Sequence, residues 1–141
     1  MPLKLSLKPG EKFVINGAVM TNGDKRTGLV LQNKACVLRE KDIMQPEDAN
    51  TPARRIYFPI MMMYLDGDDT ENYYNDFALR MTEFMSAIKN REALSICLGI
   101  SREVMAQAYY RALMQCRKLF DFERERLSYE PSSVQEHAAN Y

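Results

Sequence analysis

Residues 28–66 have the sequence GLVLQNKACVLREKDIMQPEDANTPARRIYFPIMMMYLD, in which the pattern changes from strands to helices. The first part holds short apolar runs between polar turn residues, which is typical of β-strands. A polar loop follows and ends in Thr51-Pro52, a pair that favours a helix N-terminus. Arg54-Arg55 then lead directly into an apolar block. The stretch predicts a β module followed by helices, with positive charge gathered at the boundary, where an anion is the expected ligand.

Short strands are predicted throughout the first 45 residues. Leu3, Leu5 and Leu7 alternate with polar residues, as expected for a half-buried strand. Asn16-Gly17 predicts a tight hairpin, because both residues tolerate positive φ. Pro9-Gly10 is interpreted as a further turn, so that successive strands pair in meander order. The predicted strands are residues 3–7, 11–15, 18–21, 28–32 and 35–39.

Helices are predicted after residue 50, where apolar residues recur at helical spacing. The first helix contains Pro59 and is expected to kink there. Asn90 is expected to cap a short third helix that Gly99 ends, and Ser101 to cap the last helix. The predicted helices are residues 53–65, 70–88, 91–98 and 101–127.

Apolar residues on these helices predict what is buried. Phe77, Met81, Phe84 and Ile88 recur on one face and should be buried. The run Met61-Met62-Met63 fits an adaptable binding groove or a core, and a core is favoured. A coiled-coil-like seam on the last helix fits a dimer contact or internal packing against residues 77–88, and internal packing is favoured. The seam consists of Met105, Tyr109, Ala112, Cys116 and Leu119.

The predicted fold class is α+β: a small antiparallel β-sheet or barrel at the N-terminus, followed by a C-terminal helical hairpin or small bundle. Residues 1–50 are assigned to the β module, and residues 51–127 to the helical region. Residues 128–141 are polar and unpatterned, which is typical of a flexible tail.

Charge is unevenly distributed although the formal net charge is zero. Residues 1–60 contain ten Lys/Arg and six Asp/Glu, whereas residues 61–141 contain nine and thirteen. A basic front favours a polyanion or an acidic partner, and the alternative is a chance imbalance between two solvated faces. The longest apolar run, residues 56–65, is too short for a membrane span, and no signal peptide is recognisable. We therefore expect a cytoplasmic protein.

Catalytic and metal chemistry find little support in the sequence. The single histidine, His137, lies in the polar tail, and no phosphate-binding glycine motif occurs. The three cysteines are widely spaced in apolar segments, which favours small core residues over a disulfide framework or a zinc site. The acidic residues of the 66–71 segment suit a helix start better than a calcium loop. We expect no enzyme activity, no metal and no cofactor.

Binding to RNA is better supported, because long cationic side chains suit phosphate contacts. Aromatic residues that could stack on bases are scarce in the front half, so hydrogen bonds and charge would have to dominate. Arg39 is the first candidate, and Arg39→Ala is expected to weaken RNA binding without unfolding the protein. The alternative is that Arg39 pairs with Glu40 or Asp42 and contributes only to stability. The candidate RNA-binding residues are Arg39, Lys8, Leu5, Lys4, Lys34, Lys41, Arg54 and Arg55.

Nearly the whole chain resembles the FlbT family, flagellin mRNA regulators of alphaproteobacteria. The matching stretches are PLKLSLKPGEKFVINGAV at 2–19, LVLQNKACVLREKDIM at 29–44 and TPARRIYFPIMMMYLD at 51–66. The resemblance implies a post-transcriptional regulator that binds the 5′ untranslated region of flagellin mRNA and limits its translation or stability, although some relatives act positively. It also implies a connection with the sister protein FlaF.

The front of the chain is also similar to CsrA-type RNA-binding translation regulators. The run LSLKPGE at 5–11 resembles their opening motif, and Val37-Leu38-Arg39-Glu40 resembles a Val-His-Arg-Glu motif whose arginine contacts RNA. By position this similarity singles out Arg39, followed by Leu5 and Lys8. The first arginine of the opening motif is Leu7 in this chain.

Two functions remain open. In the first, the front half recognises a flagellin mRNA leader directly. In the second, the helical half is a protein-interaction module for FlaF or flagellin, and the effect on RNA is indirect. A homo-oligomer is compatible with both.

Overall fold

The computed structural model describes residues 2–129, with side chains through residue 126. The chain divides into two compact units, Met1–Ile43 and Met44–Tyr141. We refer to their described parts as the N-terminal unit and the helical unit. The predicted class, an N-terminal antiparallel β part followed by helices, is confirmed, and the described strands do not close into a barrel.

The N-terminal unit contains five short strands in two antiparallel sheets. One sheet pairs β1 with β4, and the other has the order β3-β2-β5. Asn16 and Gly17 have φ values of 52° and 83°, which confirms the predicted hairpin between β2 and β3. The strands are β1 (Leu3–Leu7), β2 (Lys12–Ile15), β3 (Ala18–Thr21), β4 (Thr27–Leu31) and β5 (Val37–Arg39).

The predicted meander is wrong, because β1 pairs with β4 and not with β2. Residues 3–31 instead form one long hairpin that is interrupted in the middle. At the interruption the amide of Gly10 donates to the carbonyl of Gly23 at 3.0 Å, and that of Asn22 to Glu11 at 2.8 Å. Pro9-Gly10 forms the predicted turn, since the amide of Glu11 donates to the carbonyl of Lys8 at 3.1 Å and Gly10 has a φ of 72°, but β1 and β2 do not pair across it.

The Asn22 side chain holds this interruption together. Its amide nitrogen donates to the carbonyl oxygens of Lys8 and Lys25 at 2.8 Å and 2.9 Å. Residues 22–26 on one arm face residues 8–11 on the other, so the register shifts by one residue between the two strand pairs, as at a β-bulge.

The helical unit consists of α1 (Pro52–Leu65), α2 (Thr70–Ala87), α3 (Arg91–Met105) and α4 (Tyr109–Tyr129). The Thr51 hydroxyl accepts from the amide of Arg54 at 3.2 Å, and Asn90 Oδ1 from the amide of Ala93 at 3.0 Å, which confirms both predicted caps. No described helix is long and apolar enough to cross a membrane.

The boundary predicted at Gly99 is wrong, because α3 continues through Gly99 and Ser101 to Met105. A Cβ atom on Gly99 would lie 2.5 Å from Gln115 Oε1 on α4. This glycine therefore permits close approach of two helices and is not a stop signal.

The described helices pack around α1, which contacts both α2 and α4, while α3 packs on α4. Phe77, Met81, Phe84 and Ile88 are buried, as predicted. Met61 and Met63 are buried too, which supports the core interpretation of the methionine run.

The seam on the last helix is mainly internal. Ala112, Cys116 and Leu119 are fully buried. However, α4 packs mainly on α1 and α3, whereas packing against residues 77–88 of α2 was predicted. Met105 does not belong to this seam, because it ends α3 and is 69% exposed. The predicted tail, 128–141, lies outside the described residues except for the backbone of its first two, which continues α4.

Candidate functional site

A cleft of about 550 Å³ lies in the N-terminal unit where the long hairpin is interrupted. The bend at Pro9-Gly10 forms one wall, and the end of β5 with the short 3₁₀ turn Glu40–Asp42 forms the other. The cleft is lined by Lys8, Pro9, Gly10, Glu11, Arg39, Glu40 and Lys41. Three of the eight predicted RNA-binding residues, Lys8, Arg39 and Lys41, therefore meet in one place.

Arg39 is held from two sides inside this cleft. Its Nε donates to Glu11 Oε2 at 3.0 Å and its Nη2 to Glu11 Oε1 at 2.9 Å, a two-pronged ion pair. Nη2 also donates to the carbonyl oxygen of Ser6 at 2.6 Å. The partner of Arg39 is thus Glu11 and neither Glu40 nor Asp42. Its Nη1 takes no part in these bonds and remains available to a ligand.

The charges of this pair are stabilised mutually. The hydrogen bonds from Arg39, followed by that from the backbone N–H of Lys8, lower the pKa of Glu11 from 4.5 to about 2. The bond to Glu11 raises the pKa of Arg39. With Arg39 in place the Glu11 side chain is only 11% exposed, so removal of Arg39 would take away both the counter-ion of this carboxylate and part of its cover.

The second carboxylate of the cleft also has a structural bond. Glu40 Oε1 accepts from the backbone N–H of Lys12 at 2.6 Å, which ties the turn after β5 to the start of β2. Nearby, Arg26 Nη1 donates to the Ser6 hydroxyl at 3.2 Å. The side chains of Lys8 and Lys41 are exposed and make no described hydrogen bond, so they are the cations of this cleft that are most available to a ligand.

The other predicted residues lie elsewhere. Lys4 is exposed opposite Val30, whereas Leu5 is half-buried opposite Leu29 in the β1–β4 pair. Lys34 is exposed between β4 and β5. Arg54 and Arg55 are exposed in the first turn of α1, and Arg54 Nη1 donates to Asn50 Oδ1 at 3.3 Å. Leu7, the position of the first arginine in CsrA-type proteins, is 1% exposed and cannot contact RNA.

Sequence reasoning missed Glu11 as the partner of Arg39. The two residues are separated by 28 positions, and no local pattern connects them. The only available signal was a glutamate directly after the Pro-Gly bend, a place where a carboxylate can accept from nearby backbone amides.

Among the described residues, no group of three or more His, Cys, Asp or Glu side chains is arranged to hold a metal ion.

The family model for the flagellar protein FlbT matches residues 3–127. The chain belongs to the FlbT family. It is 62% identical over 134 residues to the flagellum biosynthesis repressor protein FlbT of Caulobacter vibrioides strain CB 15, with 95% of each chain covered. A probable FlbT repressor from Caulobacter sp. strain K31 is 63% identical over 92% of this chain and 98% of its own length.

A more distant FlbT relative is also covered almost completely. The probable flagellum biosynthesis repressor protein FlbT of Rhodopseudomonas palustris strain TIE-1 is 40% identical over 91% of this chain and 99% of its own. No solved structure matches the chain. The resemblance to FlbT that the sequence stretches indicated is thereby confirmed.

Proposed function

We propose that this FlbT-family protein represses flagellum biosynthesis by binding the 5′ untranslated region of flagellin mRNA with the cleft of its N-terminal unit. Curated relatives are named flagellum biosynthesis repressors, which supports the direction of regulation. The convergence of Lys8, Arg39 and Lys41 on one cleft is the observation that supports RNA as the ligand. Such an activity requires no catalysis, and it takes place where mRNA is translated, in the cytoplasm.

The chemistry of the cleft suits a single-stranded RNA segment. The ammonium groups of Lys8 and Lys41 would contact phosphates, which are the main source of affinity in RNA binding. Arg39 Nη1 would donate to a phosphate or a base edge, while Glu11 fixes the plane of the guanidinium. The oxygen of Glu40 that Lys12 does not occupy would accept from an exocyclic amino group of a base.

The absence of aromatic side chains from the cleft lining shapes this mode of binding. Stacking platforms give affinity that is largely independent of sequence. A cleft that lacks them has to rely on phosphate charge for affinity and on hydrogen bonds for selectivity. Strong dependence on salt is therefore expected for this protein.

The decisive experiment measures binding of labelled flagellin leader RNA to the purified full chain over a range of salt concentrations. The double variant Lys8→Ala/Lys41→Ala should bind about tenfold or more weakly at low salt. Two lost phosphate contacts should also reduce the slope of log K against log salt by roughly 1 to 1.5. Neither lysine side chain makes a described hydrogen bond, and the Lys8 charge is the smallest of the influences that lower the pKa of Glu11, so thermal stability should change little.

A matched control removes the same charge from the helical unit. Lys89→Ala/Lys118→Ala replaces two exposed lysines there and should leave affinity and salt slope close to the wild-type values. The proposal fails if pure protein does not bind the leader, if binding requires FlaF, or if the control pair weakens binding as much as the cleft pair does.

A further inference from the structure

An exposed patch of large apolar side chains lies at one end of the helical unit. Met105 at the end of α3 is 69% exposed, Tyr110 at the start of α4 is 44% exposed, and Tyr74 on α2 is 37% exposed. The Tyr74 hydroxyl donates to Met105 Sδ at 3.2 Å, which joins α2 to the end of α3. We call these three residues the Tyr-Met patch.

The same end of the unit carries an acidic corner between α1 and α2. Tyr64, just before this corner, packs on Tyr110 with ring centroids 5.8 Å apart. Tyr64 precedes the corner in the chain and Tyr74 follows it. Because Tyr64 contacts Tyr110 and Tyr74 contacts Met105, the corner lies beside the patch. The corner carries four carboxylates, from Asp66, Asp68, Asp69 and Glu71.

Cationic side chains near the patch are fewer than the carboxylates, and one of them is paired with a glutamate. Arg111 Nε lies 3.8 Å from Glu103 Oε2, and Arg102 is exposed one turn before Met105. The surroundings of the patch are therefore negative on balance. A ligand that covers the apolar residues and carries positive charge would be favoured both by burial and by electrostatic attraction.

The exposed apolar surface extends along α3. Leu98 is 53% exposed and lies two turns before Met105, on the same face of the helix. Apolar residues spaced by two helical turns suit a ligand that lies along the helix, as in recognition of amphipathic helices. Tyrosine and methionine are also enriched in protein–protein interfaces.

We propose that the Tyr-Met patch and its acidic corner form a docking site for a basic amphipathic helix of another protein. A second copy of the chain fits less well, because a two-fold contact centred on the patch would bring two acidic corners together. The patch is also small for a stable homodimer, which commonly buries about 2,000 Å² or more. The inference does not depend on RNA binding, because it concerns a different unit and a different class of ligand.

The test uses two labelled helical peptides with identical leucine faces, one with lysine and the other with glutamate on the polar face. The full chain should bind the Leu/Lys peptide at least tenfold more tightly than the Leu/Glu peptide. Met105→Ser/Tyr110→Ser should weaken the Leu/Lys complex at least fivefold. Leu79→Ser, which removes a side chain that is 56% exposed on α2, is the matched control and should have no effect.

A second variant tests the contribution of the acidic corner to binding. It also keeps the proposal testable if Met105→Ser/Tyr110→Ser does not fold. Asp68→Asn/Glu71→Gln changes two exposed carboxylates and should weaken Leu/Lys binding severalfold, while the melting temperature falls only slightly, because Glu71 lies in the first turn of α2. Equal affinity for both peptides, or the same loss in the Leu79 control, would overturn the proposal. So would concentration-dependent dimerisation of the wild type that the Met105/Tyr110 variant abolishes, because a second copy would then occupy the patch. Binding of leader RNA should persist in all of these variants.

Discussion

At the residue scale, Arg39 connects the stability of the N-terminal unit with its proposed ligand. Two of its three guanidinium nitrogens hold Glu11 and the Ser6 carbonyl, so Arg39→Ala should lower stability as well as RNA affinity. The sequence alone favoured a replacement that leaves the fold intact. A loss of affinity in that variant would therefore not identify an RNA contact. For this reason Lys8 and Lys41 are the residues substituted in the test of RNA binding.

The Glu11–Arg39 pair predicts how the stability of the N-terminal unit depends on pH. The pKa of Glu11 is lowered to about 2 in the folded protein, so its carboxylate stabilises the fold fully above the ordinary pKa of 4.5. This contribution is lost as the pH falls from about 4.5 to 2. Glu11→Gln should therefore destabilise the unit at neutral pH, and the difference from wild type should shrink progressively in acid.

Urea unfolding at several pH values, followed by the amide signals of β2 and β5, measures this effect. Glu47→Gln changes an exposed glutamate outside the cleft and serves as the control, with no expected change in the pH profile. A Glu11→Gln protein with the wild-type pH profile would show that the ion pair does not stabilise the fold.

Glu123 on α4 predicts the opposite pH dependence in the helical unit. It is 4% exposed, and its oxygens accept from the Thr51 hydroxyl at 2.8 Å and from the amide of Ala53 at 2.9 Å. Burial raises the pKa of Glu123 despite these bonds. The protonated form therefore favours the fold, and this contribution is lost as the pH rises from 4.5 through the raised pKa.

Removal of this carboxyl should still be costly, because Thr51 and Ala53 would lose their acceptor at the start of α1. We expect Glu123→Ala to reduce the free energy of unfolding by about 1–3 kcal/mol, the cost of leaving a buried donor without an acceptor. Asp121→Ala removes an exposed carboxylate that pairs with Arg124 on the same helix and should cost under about 1 kcal/mol. Tyrosine fluorescence in urea would measure both, and equal losses would contradict the capping role.

At the scale of elements, the corner between α3 and α4 depends on one residue in an unusual conformation. The amide of Ala108 donates to the carbonyl of Glu103 at 2.8 Å and that of Gln107 to Val104 at 2.9 Å, the bonds of a Schellman motif. Gln107 has a φ of 60°, a conformation that normally belongs to glycine. The corner presents Met105 and Tyr110 to solvent, so its geometry matters for the proposed docking site.

Gln107→Gly should consequently stabilise the helical unit. Release of the left-handed strain gains about 1–2 kcal/mol, and the extra freedom of glycine in the unfolded chain costs about 0.4–1 kcal/mol. The net gain should be roughly 0.5–1 kcal/mol in urea unfolding. Ala106→Gly is the matched control, because Ala106 has an ordinary φ of −84° and should lose stability. A loss in both variants would contradict strain at Gln107.

Elements that local chemistry determines were predictable from the sequence. Asn16-Gly17 specified its hairpin, and Asn90 its helix cap, since each acts on backbone groups within a few residues. Gly99 was misinterpreted, and the Pro9-Gly10 turn was predicted with the wrong strand pairing around it, because both outcomes depend on distant partners. Gln115 approaches Gly99 from another helix, and the carbonyl of Gly23 binds the amide of Gly10.

The candidate site was predictable only in part for the same reason. Positive charge near Lys8, Arg39 and Lys41 was visible in the sequence, but their convergence depends on the pairing of β2 with β5. The Tyr-Met patch could not be predicted from the sequence, because Met105 fits the apolar spacing of the seam predicted for the last helix. Only the corner at Gln107 separates Met105 from that seam.

At the scale of the whole molecule, the two compact units should bind their ligands independently. The cleft lies within Met1–Ile43 and the Tyr-Met patch within Met44–Tyr141, and no residue belongs to both sites. Lys8→Ala/Lys41→Ala should weaken leader RNA binding and leave Leu/Lys peptide binding unchanged, while Met105→Ser/Tyr110→Ser should do the reverse. Effects of independent sites add within about 0.5 kcal/mol, so the quadruple variant should show both losses at the sizes of the separate variants. Titration of each ligand into all four proteins, with and without saturation by the other ligand, would measure this. A change of more than about threefold in RNA affinity on peptide saturation corresponds to roughly 0.65 kcal/mol of coupling and would contradict independence.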